Sequence, residues 1–354
     1  MDFTPSEAAV DLAALTRRIL ADKVTPDMLG PHGSGGFDAA LWTSLAQAGV
    51  LDAALPSSIG GGGFGLLEQC AVLTEIGRAV APVPYLPSIT MAAAALATFG
   101  TPAALVDQWV LPVLRGESVL AVALPDVGAA CGFTAEDGRL TGVQAAVPFG
   151  AFAQGLLVEA AADGGRAVFL LDASAAGVSV TAQRTVDHAD AALVELSGAS
   201  GVSLGDIGEW LRLRGTAGLC AQQLGVVERA LEMTAAYARE REQFGHALGG
   251  FQAVRQRLAD GYLDVEAVRL TSLQAAWLLA SDLPAAAEVA TAKYWAADAG
   301  HRVAHTAVHI HGGVGIDIEH PVHRYFVAAK RLEFTFGGAT PHLLALGSLL
   351  AATP

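Results

Sequence analysis

The sequence predicts a mainly α protein with a β middle domain. Two changes of period carry the prediction. Apolar residues recur at helical spacing over residues 1–118, give way to short β-branched runs over 119–206, and return to helical spacing over 207–354. The third observation is length: the runs Leu211–Arg239, Phe251–Ser281 and Leu283–His311 are long enough for the helices of a four-helix bundle.

Taken in order, Ala8–Leu20, Phe37–Ala48, Gly65–Val80 and Ile89–Ala97 carry helical apolar spacing. Gly60 to Gly63 form a glycine loop with no Lys-Ser or Lys-Thr after it, so it reads as a turn and not a phosphate loop. Strands are expected at Val119–Leu124, Ala153–Ala160, Ala167–Leu171, Gly177–Val180 and Ala191–Leu196. Turn signals at Asp137-Gly138 and Asp163-Gly164-Gly165 separate them, and the sheet is expected to be antiparallel or barrel-like. The last helix is expected at Pro341–Ala351.

Composition excludes some functions. The net charge of −14 argues against nucleic acid. Hydrophobic residues make up 53%, which raises the question of a membrane span. The charge-free stretch between Arg78 and Asp107 is interrupted by Pro82, Pro84, Pro87, Gly100 and Pro102, so no spanning helix is expected there. Large buried subunit contacts account for the apolar excess. The first residues lack the pattern of a signal peptide. Cys70, Cys131 and Cys220 are odd in number and far apart, which suits reduced thiols in a cytoplasm.

The stretch from Tyr237 to Asp260 reads YAREREQFGHALGGFQAVRQRLAD. Arginine beside a glycine turn suits a phosphate, because a guanidinium gives two parallel charge-assisted hydrogen bonds. On spacing alone an αα-hairpin with a solvated arginine face is the plainer reading. His301, His305 and His309 recur on one helical face, but without the Glu of an H-E-x-x-H motif they read as a polar interface and not as a metal site.

The Tyr237–Asp260 stretch resembles the flavin-site motif of the acyl-CoA dehydrogenase family. His309-Ile310-His311-Gly312-Gly313-Val314-Gly315 is similar to that family's Q-x-x-G-G-x-G, and the stretch around Trp42 to Ser88 resembles its opening helical domain. The likeness covers nearly the whole chain. It implies an N-terminal helical domain, a β-barrel-like middle domain and a C-terminal four-helix bundle. It also implies FAD, an acyl-CoA substrate and an electron-transfer flavoprotein as acceptor. In the family this Arg, Gln and Phe reach across a subunit interface to the pyrophosphate and adenine of a neighbour's FAD. Carried over, the cofactor residues are Arg241, Gln243, Phe244, Gln252, Gly312 and Gly313, with His309 in place of the usual Gln.

The catalytic residues of the family are missing. Its members remove the proton α to a thioester carbonyl with a Glu from one of two places. Those places fall here on Phe336 and Gly215, and neither accepts a proton. Glu333 is the nearest carboxylate in sequence and is expected to point elsewhere. The strand that faces the flavin ring, T-E-P-x-A-G-S-D in the family, reads Ala123 to Ala130 and keeps only Pro125 and Gly128. Pro148-Phe149-Gly150 replaces a T-N-G-like segment, and Val327-Ala328 replaces an R-D pair. The chain is thus expected to be the non-catalytic subunit of an α2β2 enzyme whose partner carries the Glu. Oxidation of a steroid side-chain CoA thioester is the substrate class implied. A self-sufficient homotetramer with an unusual base, and a scaffold that binds no flavin, stay open as alternatives.

Overall fold

The computed structural model describes residues 3–25, 36–99 and 103–352. Gly100 and Pro102, two of the interruptions named above, lie outside them.

Side-chain caps start the first helices. The Ser6 hydroxyl accepts from the Ala9 N–H at 3.0 Å and opens α1 (Glu7–Lys23). The Asp38 carboxylate accepts from the Leu41 N–H at 2.7 Å and opens α2 (Ala39–Gln47). The amides of Gly61, Gly62 and Gly63 donate to the carbonyls of Pro56, Asp52 and Leu55, so the glycine loop folds onto its own backbone and presents no free donors to a phosphate. Glu68 then reaches back to the Gly65 N–H at 2.9 Å at the head of α3 (Leu66–Ala79). The helix expected from Ile89 begins earlier, as a π-helical segment over Leu86–Ala93, and continues as α4 (Ala94–Thr98). Short α5 (Ala103–Leu105), a second π segment (Val106–Val110) and α6 (Leu111–Leu114) follow.

The middle of the chain forms one sheet from β1 (Leu120–Ala123), β2 (Phe133–Glu136), β3 (Arg139–Pro148), β4 (Gly155–Ala162), β5 (Gly165–Asp172), β6 (Val178–Arg184), β7 (Asp190–Ser200) and β8 (Val202–Gly205). The order is β6-β7-β3-β2-β4-β5-β8, with β1 also on β4. The sheet is not wholly antiparallel: β4 pairs in parallel with both β1 and β2. Its first six residues are all buried, which is why this strand reads as an unbroken apolar run.

The C-terminal part is helical. Long α7 (Gly208–Glu240), α8 (Gln252–Ala280) and α9 (Ala286–His311) pack up-down-up. Two further helices, α10 (Pro321–Phe334) and α11 (Ala339–Ala352), complete the bundle. A hairpin of β9 (Glu242–Gln243) and β10 (His246–Ala247) links α7 to α8. The N-terminal helices dock on α7 through a pair of glycines. A Cβ on Gly77 would lie 2.0 Å from the Gln222 carbonyl oxygen, and one on Gly225 would lie 1.9 Å from that of Thr74. The two backbones therefore touch, and any side chain at either position forces them apart.

By length and composition the apolar stretch Pro321–Ala352 could cross a membrane. The turn at Phe336 (φ 60°) and Gly337 (φ 94°) divides it into two helices of 14 residues each. Each falls short of the ~20 residues a span requires.

Candidate functional site

The two sequence motifs meet at one end of the bundle. α7 and α9 run in the same direction, so their C-terminal ends lie together, beside the N-terminal ends of α8 and α10. Tyr237 of α7 stacks on His311 of α9, with ring centroids 4.3 Å apart. His311 is held by a 2.8 Å contact of its Nδ1 with the Ala307 carbonyl, and His320 caps α10 by accepting from the Val322 N–H. These histidines hold the end of the bundle in place.

Arg241 is the residue that ends α7. It is exposed, and among the described residues no ion pair involves its guanidinium. Arg78, Arg269, Arg302 and Arg331, in contrast, are all held by carboxylates. Gln243 pairs with His246 in the hairpin, and Phe244-Gly245 form its two-residue turn. Both turn residues are left-handed, at φ 55° and 78°, a turn that favours Asn-Gly. A phenylalanine there is strained. The residue is 89% exposed, and its ring lies edge-to-face with that of Phe251, centroids 6.4 Å apart. Gln252 opens α8 and is exposed. His309 is exposed on the last turn of α9, which ends at Gly312 (φ 66°). Beside Gly312 and Gly313 nothing lies within 4 Å of where a Cβ would stand, so the backbone there is open to a close-lying ligand. Every candidate cofactor residue is thus at this end, facing outward. An exposed cation, an exposed aromatic ring and two helix N-termini fit the pyrophosphate and adenine of FAD.

The chain's own ring site is different. A groove of about 910 Å³ lies between the sheet and α10, lined among others by Leu124, Pro125, Ala129, Ala130, Pro148 and Phe334. Several of its polar side chains are engaged within the chain, while Gln144 donates to the Leu124 carbonyl and keeps its buried Oε1 without a partner. Arg331 is paired with Asp187, and Lys330 with Glu333 at 2.5 Å. The Thr185 hydroxyl lies 2.8 Å from both Asp187 and the Ala189 carbonyl. Ala129 and Ala130 offer neither hydroxyl nor carboxyl, so these side chains do not fit the polar edge of a flavin.

Behind the groove the two base positions converge. A Cβ on Gly215 would stand 2.6 Å from the Met91 methyl carbon and 3.2 Å from the Phe336 ring. Phe336 is buried and lines both the groove and an inner cavity of about 60 Å³. Among its apolar lining residues are Leu86, Pro87, Met91, Leu219 and Leu332. Glu333 faces the other way, with Oε2 3.3 Å from His301 Nδ1 and 2.5 Å from Lys330 Nζ. His301 and His305 stack on each other, and no cluster of three metal-ligating side chains is found among the described residues.

Sequence reasoning missed three polar groups around Phe336. Lys293 is fully buried on α9, Asp126 follows β1, and His342 is the buried residue of α11. The signal was a lone lysine in the alanine-rich run of α9.

Fold and site together define a flavin-dependent dehydrogenase architecture with an altered centre, and comparison with known proteins gives the family. The N-terminal domain of acyl-CoA dehydrogenase matches residues 6–117 and its C-terminal domain matches residues 213–345. The acyl-CoA dehydrogenase FadE27 of Mycobacterium tuberculosis is 48% identical over the full length of both chains. A chain in the crystal structure of the ChsE4-ChsE5 complex from the same organism is 49% identical and superposes with a TM-score of 0.94, covering all of both chains. A chain of the Tcur3481-Tcur3483 steroid ACAD is 39% identical with a TM-score of 0.92, over 98% of each chain. This chain belongs to the acyl-CoA dehydrogenase family, whose cofactor is FAD.

Proposed function

We propose that this chain is the non-catalytic subunit of an α2β2 acyl-CoA dehydrogenase and supplies the trans half of its partner's FAD site. The observation that carries this reading is the junction of Gly215, Met91 and Phe336. The two places that hold a base in catalytic members meet there, and apolar atoms fill them. FAD, when bound, accepts the β-hydride; the α-proton needs a carboxylate, which this junction lacks. The outward-facing group of Arg241, Gln243, Phe244, Gln252, His309, Gly312 and Gly313 fits the far end of a flavin whose ring is held elsewhere. The likeness to a chain of the ChsE4-ChsE5 complex supports a related second chain as partner. The likeness to a steroid ACAD supports a steroid CoA thioester as substrate; attack on its side chain and an electron-transfer flavoprotein as acceptor follow from the family resemblance.

The test is co-expression with the related chain, followed by mass and flavin content. One FAD per αβ pair is expected. Two per pair, or a yellow, active homotetramer of this chain alone, overturns the reading. The trans contact is tested by titrating FAD into deflavinated complexes of equal mass. Arg241→Ala is expected to weaken FAD binding roughly ten- to hundredfold, the effect of losing a charge-assisted contact. Arg241→Lys recovers part of it, because the fork geometry is lost. Equal affinities leave Arg241 a surface charge.

A further inference from the structure

Helix α10 ends with one side buried, at Leu332, and carbonyls on a buried side of a helix end need donors. Lys293 provides them. Its Nζ donates to the carbonyls of Leu332 and Glu333, each at 2.9 Å. The buried face of α9 around it is otherwise built of Val289, Ala290, Ala292, Ala296 and similar small residues. A fully buried ammonium on such a face is costly unless its partners are well placed. The negative end of the α10 dipole is one partner, and the Asp126 carboxylate is a nearby counter-charge. Burial pushes the ammonium down to about 8, so it stays mostly charged at neutral pH.

Past the capped carbonyls the chain turns through Phe336 and Gly337, both left-handed. Two more bonds hold this turn. The Gly337 N–H donates to the Phe334 carbonyl at 3.0 Å, closing the turn, and the Asp126 carboxylate lies beside it. His342 donates from Nε2 to the Phe336 carbonyl at 2.9 Å. The two side-chain clamps come from α9 and α11, the helices on either side of the turn.

We propose that Lys293 is the positioning residue of the closed site: by capping α10 from within, together with His342, it fixes the Phe336–Gly337 turn and keeps the Phe336 ring seated against Gly215 and Met91. The proposal deepens the reading of this site as closed and rests on it. It explains how a strained aromatic residue that lines both groove and inner cavity stays in place.

Hydrogen exchange tests it, on the full chain in its assembled complex. Lys293→Met keeps the length of the side chain and removes its donors. Residues 332–342 are expected to exchange about tenfold faster or more, while α8 keeps its native rate. A native rate over 332–342, or equal acceleration of both segments, overturns the proposal; the second result would make Lys293 a general stability residue. Should Lys293→Met fail to assemble, His342→Ala, which removes the bond to the Phe336 carbonyl, carries the same test. Faster exchange at Phe336 and Gly337 is expected there, and a native rate overturns the clamp. Flavin content of the same samples is measured separately. One FAD per pair with unchanged exchange defeats the clamp alone, and faster exchange with two FAD per pair defeats the functional reading alone.

Discussion

Gly215 and Phe336 act as one feature. Alone, a glycine inside α7 would cost about 1 kcal/mol relative to alanine. Here Met91 and Phe336 occupy the space a side chain would need, at 2.6 and 3.2 Å from the Cβ position. A side chain at residue 215 would first have to displace the end of Met91 and would press on the Phe336 ring. The loss of both acids is legible by counting along the motifs; their meeting in space is not, because α7 and the turn after α10 are joined only by the fold. Glu333 is the remaining acid within one helical turn, and its Oε2 is engaged by Lys330 and His301 on the side of α10 that faces α9. Glu333→Gln is therefore expected to leave turnover of the assembled enzyme within a few-fold. A loss on the order of a hundredfold or more, as when a general base is removed, would make this chain catalytic.

At the scale of elements, long periodic helices were readable. α8 lies within one residue of the run read from apolar spacing at each end, because few tertiary contacts override so long a pattern. The elements not read have identifiable causes. α10 opens on Pro321 with a histidine cap, which is a weak start signal. β3 is half exposed and broken by register shifts, so its alternation is faint. Of the two π segments, Leu86–Ala93 is read only from Ile89 onward and Val106–Val110 is not read. The turn between α10 and α11 shows what such elements do energetically. Burial pushes the His342 imidazole down to about 4; the bond to the Phe336 carbonyl opposes this, and the Lys293 ammonium adds to it. A depressed folded value means the unfolded chain takes the proton first. The contribution of His342 is thus complete above its ordinary 6.5 and is lost as pH falls toward about 4. His342→Gln keeps a donor and does not titrate. Its melting temperature is expected to fall less than that of the native chain between these pH values. Parallel curves for the two proteins would remove His342 from the acid response.

At the scale of the molecule, charge and apolar surface are segregated. The chain carries −14 overall, yet α11 has no charged residue along its 14 positions, and His342 is its one buried residue. Leu343, Leu344, Leu349 and Leu350 are exposed on it; so are Tyr262, Leu263 and Leu270 along α8, and Ile316 and Ile318 beyond α9. Apolar area of this extent on a monomer marks a surface that is covered in the working assembly. Two acidic chains repel at long range, and an uncharged helix is where they approach at least cost. Purified alone, the chain is expected to self-associate into flavin-free oligomers; with its partner it is expected to give one defined species. Sedimentation across a range of concentrations measures this. Leu344→Glu with Leu350→Glu should shift the isolated chain toward monomer while leaving its helical circular dichroism unchanged, since both side chains are exposed and bury nothing within the chain. A native chain that stays monomeric at every concentration, or one that purifies alone as a stable holoprotein, would mean that these faces need no cover and that the apolar excess has another origin.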